Sequence, residues 1–138
     1  MESRQDIVMN KLCEFYLDSK NLNVINSILH KESKITLRVI EWFITVYSRA
    51  KGTQTPHIYN QFKVHLKSYS KKLFDPFCRG ERILLMTGPD QSIETTVGQL
   101  NFFRFVIEYN IIDEYTKNKE DIEKKMLENG FKKRVGKN

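Results

Sequence analysis

Cysteine is scarce in this chain: Cys13 and Cys78 are the only two. They lie far apart and in no C-x-x-C pairing, which excludes a disulfide framework and fits reduced thiols in an intracellular setting. Cys13, on the first expected helix, reads as a small buried hydrophobe. The three histidines, His30, His57 and His65, do not combine with the cysteines into metal-ligand spacing, so no zinc site and no cofactor are expected. With three prolines and six glycines, long disordered stretches are not expected. No apolar run approaches the roughly 20 residues that span a bilayer. The opening Met1–Asp6 lacks the apolar stretch of a signal peptide, and no N-x-S/T acceptor occurs, which again favours an intracellular protein.

Catalytic patterns are missing too. Gly88-Pro89-Asp90-Gln91 has none of the G-x-x-x-x-G-K-[ST] phosphate cradle and reads as a turn. Asp113-Glu114 and Glu120-Asp121 stand at expected helix starts, where carboxylates complement the macrodipole. That is a structural role, so no paired-carboxylate chemistry is assigned. A Cys78–His65 nucleophile lacks any surrounding signature. The chain is therefore expected not to be an enzyme.

What the sequence does have is positive charge. Twenty-three Lys and Arg face 17 Asp and Glu, for a formal net charge of +6 and a pI near 9.3. A balance of this kind favours nucleic acid, an acidic protein or an anionic surface as partner. The charge comes in blocks: six basic against two acidic residues in 61–82, one against five in 83–116, and eight against four in 117–138. At 138 residues the chain is long enough for one domain with a real core. We assign residues 1–131 to that domain and 132–138 to a basic tail.

Apolar periodicity predicts a mainly α fold, a single compact helical domain with a small β-hairpin. Residues 4–18 read as a helix with Val8, Leu12, Phe15 and Tyr16 in one stripe and Ser3/Asp6 as a capping pair. Residues 22–30 form a second helix with Leu22, Ile25, Ile28 and Leu29 inward. Residues 37–50, from the Thr36 cap to the Gly52 stop, are the most apolar segment and read as the central core helix. A strand reading of that stretch stays open, because β-branched and aromatic residues dominate it. Residues 58–70 fit both an exposed strand and a helix. Helix is preferred because Lys67–Lys72 continues it without a turn, until Asp75-Pro76 ends it.

Ile83–Met86 and Ser92–Thr95 pair as a hairpin around Gly88-Pro89-Asp90. Thr96 and Gln99 make a T-x-x-Q capping box for a helix Val97–Tyr109, burying Leu100, Phe103, Val106 and Ile107 with Phe102 and Phe105 flanking. Asn110 suits a left-handed stop. A short helix around Ile111–Tyr115 and a last helix from the Asn118 cap to Asn129 follow, the latter with Ile122, Met126 and Leu127 inward. A helix-turn-helix over Val97–Asn118 is conceivable, but Arg104 alone against Glu108, Asp113 and Glu114 would repel phosphate.

The segment with most functional content runs from Phe62 to Arg82. Lys63, Lys67, Lys71, Lys72, Arg79 and Arg82 alternate with Phe62, Tyr69, Phe74 and Phe77, with Tyr59 just upstream; only Asp75 and Glu81 offset the charge. Basic groups neutralise phosphates, and aromatic faces either stack on bases or anchor the segment to a core. The candidate nucleic-acid contacts are Lys67, Lys71, Lys72, Arg79 and Arg82, assisted by Lys132, Lys133 and Arg134 of the tail. No RNP1 or C2H2 pattern accompanies them.

Two runs carry a family likeness. Ser70-Lys71-Lys72, then Phe74-Asp75-Pro76-Phe77-Cys78-Arg79, form the first; Thr95-Thr96, then Gly98-Gln99-Leu100-Asn101-Phe102-Phe103, form the second. Together they resemble an uncharacterised family of small basic proteins of nucleocytoplasmic large DNA viruses. Where such relatives carry a second Arg after Arg79, this chain has Gly80. The resemblance implies a viral factory or virion location in an infected host, and no enzymatic activity.

The leading expectation is a non-enzymatic viral protein that binds the phosphate backbone in genome packaging or expression, DNA rather than RNA, without a membrane partner. The alternative is an interaction module, a minor capsid or core protein or a subunit of a viral complex, that binds an acidic protein. Trp42, Phe102 or Phe105 would then lie in the interface.

Overall fold

Local signals start most of the helices. In the computed structural model, which describes residues 2–30 and 33–130, Ser3 Oγ accepts from the Asp6 N–H and the Asp6 carboxylate accepts from the Ser3 N–H. This reciprocal box opens α1 (Arg4–Phe15). Asp18 caps α2 (Ser19–Leu29), so the chain turns at 16–18 instead of continuing the expected helix. Thr36 Oγ1 accepts from the Val39 N–H and opens α3 (Leu37–Thr45).

α3 is shorter than the apolar run around it. Thr45 Oγ1 donates to Glu41 O at 2.8 Å and Ser48 Oγ to Ile44 O at 2.5 Å. Hydroxyls that bond back onto the preceding turn compete with the backbone ladder. The chain tightens into a 3₁₀ turn, Tyr47–Arg49, and Gly52 then takes φ +86° in the loop that follows.

The ambiguous stretch is helical: α4 spans Pro56–Leu73, with proline at its start. Its sequence contains no acidic residue. β1 (Ile83–Gly88) and β2 (Gln91–Thr95) form the expected antiparallel hairpin, in register Ile83–Thr95, Leu85–Ile93 and Met86–Ser92, with an irregularity between Met86 and Gly88. α5 (Val97–Glu108), α6 (Ile111–Lys117) and α7 (Lys119–Glu128) complete the fold. Asn110 is left-handed (φ 53°, ψ 40°), as the stop between α5 and α6 requires. Asn118 stands at the start of α7 but makes no cap. Its side-chain amide donates back to Glu114 O at 2.9 Å.

The centre of the core is α5, not α3. Nine of its 12 residues are buried, including Phe102, Phe103 and Phe105, and α1, α2, α4 and α6 all pack on it. This burial overturns one expectation: Phe102 and Phe105 are interior and unavailable to an interface. It agrees with the rejection of a helix-turn-helix on charge, because nine of the 12 residues of α5 are committed to the core. Two smaller corrections concern Cys13, which is exposed rather than buried, and Leu127, which is 72% exposed. Leu127 sits one residue past Met126, about 100° off the Ile122–Met126 stripe. No helix of the described residues is long and apolar enough to cross a membrane. Lys132, Lys133 and Arg134 lie outside the described residues.

Candidate nucleic-acid interface

The two sequence runs that carry the family likeness, about 25 residues apart, meet in space. The segment after α4 lies across the first turns of α5. Asp75 N donates to Gly98 O at 3.1 Å, Gln99 Nε2 to Pro76 O at 2.9 Å and Asn101 Nδ2 to Leu73 O at 2.8 Å. Thr95 Oγ1 donates to Gln99 Oε1 at 2.7 Å. Thr95, Gln99 and Asn101 are all buried, where a polar group without a partner is costly; here each is satisfied by this seam.

The Thr96/Gln99 box is accordingly half formed. Thr96 Oγ1 accepts from the Gln99 N–H at 3.1 Å, but the Gln99 amide is committed to Thr95 and Pro76 and does not reach back. Gly98 permits the close approach. A Cβ there would stand 3.2 Å from Lys72 O and 3.4 Å from the Phe74 and Asp75 nitrogens.

Below the seam, the aromatics of the basic segment are anchors. Phe74 is 1% exposed, with ring centroids of Phe62, Phe102, Phe105 and His65 within 5.5–5.8 Å. Such clusters add about 0.5–1.5 kcal/mol per pair beyond burial. Phe62 and Tyr69 pack against the same core. Phe74 is thereby closed to a base; Phe62, Tyr69, Tyr59 and Phe77, the last beneath the Arg79 guanidinium (5.5 Å), are half-buried and remain partly open.

The candidate cations divide among three places. Lys71, Lys72 and Arg79 share one cleft of about 470 Å³, whose walls include Gln5, Glu81, Thr96 and Val97. Lys67 lies earlier on α4 beside Lys63, along a groove with Asn60 and Val64. Arg82 stands apart on the hairpin, paired across the strands to Glu94 at 2.9 Å. Lys63, Lys67, Lys71 and Lys72 are exposed and take no part in the ion pairs of the described residues.

Arg79 is held rather than free. Its Nε and Nη2 donate side-on to the two Asp75 oxygens at 2.9 and 2.8 Å, while Asp75 Oδ1 also accepts from the Phe77 N–H at 3.2 Å. The hydrogen bond and charge of Asp75 raise the Arg79 pKa further, so the guanidinium stays charged at any relevant pH.

Three contributors are not among the sequence candidates. Lys63 stands in the basic segment, and its i,i+4 spacing to Lys67 is the usable signal. Arg49 packs over Tyr59, which Lys63 also approaches, at 5.0 and 5.6 Å. Gln5 comes from α1, and only the packing of α1 on α5 brings it to the cleft. Cys78, the conceivable nucleophile beside His65, is absent from the cleft lining. The His65 ring is instead packed between Phe74, Phe105 and Tyr109.

A family described as "Family of unknown function (DUF7197)" matches residues 1–138. "Uncharacterized protein L507" of Acanthamoeba polyphaga mimivirus is 33% identical to the chain over 113 residues. The match covers 71% of this chain and 44% of the mimivirus protein, so the chain spans less than half the length of this curated relative. No solved structure matches.

Proposed function

The chain belongs to the DUF7197 family, whose function is unknown, and we propose that it is a non-enzymatic nucleic-acid-associated protein that grips the phosphate backbone. One observation carries this reading. α4 presents Lys63, Lys67, Lys71 and Lys72, exposed and outside the ion pairs of the described residues, on a helix with no acidic residue. Solvated lysines of one sign gain from releasing the counterions condensed on a polyanion. The burial of Phe74 and the half-burial of the other rings favour backbone charge over base readout as the source of affinity. We assign this binding to genome packaging or expression in a large DNA virus, with DNA as the preferred polyanion; the mimivirus relative supports the viral setting alone.

The test is binding to duplex DNA and to single-stranded RNA over a salt series. Four phosphate contacts give a log–log salt slope of about −3.6 on duplex DNA. A variant with Lys63, Lys67, Lys71 and Lys72 changed to Glu should stay folded, because none of these side chains is buried, and should not bind. Absence of wild-type binding at low salt would refute the proposal.

A second reading has its own observation. Leu84 and Met86 are 69% and 59% exposed on the outer face of the hairpin, which suits contact with another viral protein. Leu84→Ser with Met86→Ser would abolish such an association and leave nucleic-acid binding unchanged.

A further inference from the structure

We propose that the cleft formed by Lys71, Lys72 and Arg79 is a discrete site for a phosphate monoester carried on a nucleotide, as distinct from the bridging diesters met by the rest of α4. The inference deepens the phosphate-binding reading and rests on it for the strand-bound form of the ligand.

The first support is where the cations are placed. Lys71 and Lys72 line the same cleft as Arg79. Both follow Ser70, where α4 is two helical pieces joined through φ 66°, ψ 168°, so the last piece leaves the axis of the first and carries the two lysines with it. That conformation is essentially reserved for glycine and costs about 1–3 kcal/mol in other residues. Strain of this kind persists only when the surroundings hold it. Here they do: beyond the two lysines, Leu73 O is bound by Asn101 and Phe74 is locked in the aromatic core.

The second support is the free edge of Arg79. A guanidinium has five N–H groups. Side-on pairing to Asp75 consumes the Nε–H and one Nη2–H. The second Nη2–H and the Nη1 pair remain, and together they form the end-on fork that matches two oxygens of one phosphate. Asp75 is neutralised in the process, so its carboxylate holds the fork in place instead of repelling the ligand.

The third support is stoichiometry. Arg79, Lys71 and Lys72 line one volume of about 470 Å³, within the roughly 300–1,000 Å³ range of small-molecule sites. A monoester offers three terminal oxygens and close to two negative charges. A backbone diester offers two terminal oxygens and leaves one of the three donor groups without an acceptor. Asp75 and Glu81, also on the wall, reduce the charge of the lining to +1 and set how tightly the site holds an anion.

The same chemistry is found at the 5′ end of a strand and in a free mononucleotide. The experiment compares a short 3′-labelled single strand bearing either a 5′-phosphate or a 5′-hydroxyl, by fluorescence anisotropy, with adenosine 5′-monophosphate titrated separately by calorimetry. We expect the 5′-phosphate strand to bind about tenfold tighter than its 5′-hydroxyl twin, the worth of one charge-assisted fork. Lys71→Gln with Lys72→Gln should erase that ratio; both strands should also bind more weakly, and equally, through the remaining Lys63 and Lys67. Glu81→Gln should raise affinity for the phosphorylated strand. A strand preference with weak nucleotide binding identifies a strand end; equal affinities identify a free nucleotide.

Equal binding of both strands, without heat from the nucleotide, overturns the monoester site and leaves the backbone reading intact. Failure of either strand to bind at low salt, with heat from the nucleotide, overturns the backbone reading alone. Loss of all three signals overturns both.

Discussion

Gly98→Ala tests whether the seam between α5 and the segment after α4 is as tight as its geometry implies. Placed on a helix, alanine ordinarily gains up to about 1 kcal/mol over glycine. Gly98 lies within α5 and has no positive φ, so no backbone strain opposes the change. The opposition is steric: the new Cβ would meet Lys72 O at 3.2 Å and the Phe74 and Asp75 nitrogens at 3.4 Å. All three are main-chain atoms and cannot swing aside as a side-chain tip would. Asn101, Gln99 and the Gly98 carbonyl also bolt that main chain to α5. The segment must retreat by a few tenths of an ångström, lengthening three hydrogen bonds at once.

Overpacking of this type costs about 1–3 kcal/mol, which leaves a net destabilisation of up to about 2 kcal/mol after the helix gain is subtracted. A urea titration should show a midpoint lowered by up to about 1 M at an unchanged slope. Gly80→Ala is the control, because a Cβ on Gly80 would meet nothing within 4 Å and its φ is not positive. That change should be neutral or stabilising by up to about 1 kcal/mol. If Gly98→Ala proved more stable than the parent, as an unopposed helix substitution would be, the seam would be looser than described, and the argument that it holds Lys71 and Lys72 in place would fail with it.

Two further outcomes follow from the same geometry. Ser70→Gly relieves the positive φ at a smaller entropic cost and should stabilise the fold by about 0.5–1 kcal/mol in thermal or urea unfolding; a loss of stability would mean that the Ser70 conformation is not strained. Unfolding at high pH should be steep. Burial and the 2.6 Å hydrogen bond to Asp121 push the Tyr47 phenol up to about 12, and burial raises Tyr16, which donates to Leu100 O at 2.6 Å, further still. Both groups keep their proton in the fold above the pH at which the unfolded chain releases it. Their stabilisation is therefore complete below about pH 10 and declines as pH rises toward the folded values. Tyr47→Phe should flatten part of that decline, and an unchanged slope in the variant would exclude Tyr47 as a contributor.

The elements of this fold are largely legible one at a time, because their signals are local. Ser3/Asp6, Thr36 and Thr96 mark helix starts by bonds within three residues, and Gly88-Pro89-Asp90 marks the hairpin. The mainly α class with one hairpin follows from these. Where sequence reasoning fails, the deciding partner is remote or the competition is fine. α3 stops short because hydroxyls at 45 and 48 bond backward. Gln99 abandons its capping role for Pro76, 23 residues away.

The candidate site divides in the same way. Composition by itself determined that residues 61–82 are cationic and that α4 contains no acid. It could not say which aromatic faces were free, because a phenylalanine that stacks on a base and one that anchors a core have the same one-letter code. Nor could it say which cations were spent. Tertiary structure decided that Phe74 is interior, that Arg82 belongs to Glu94, that Arg79 is held by Asp75, and that Lys71 and Lys72 face one cleft. The physical reason is that charge is a property of each residue, whereas burial, pairing and aim are set by neighbours that folding brings from far along the chain.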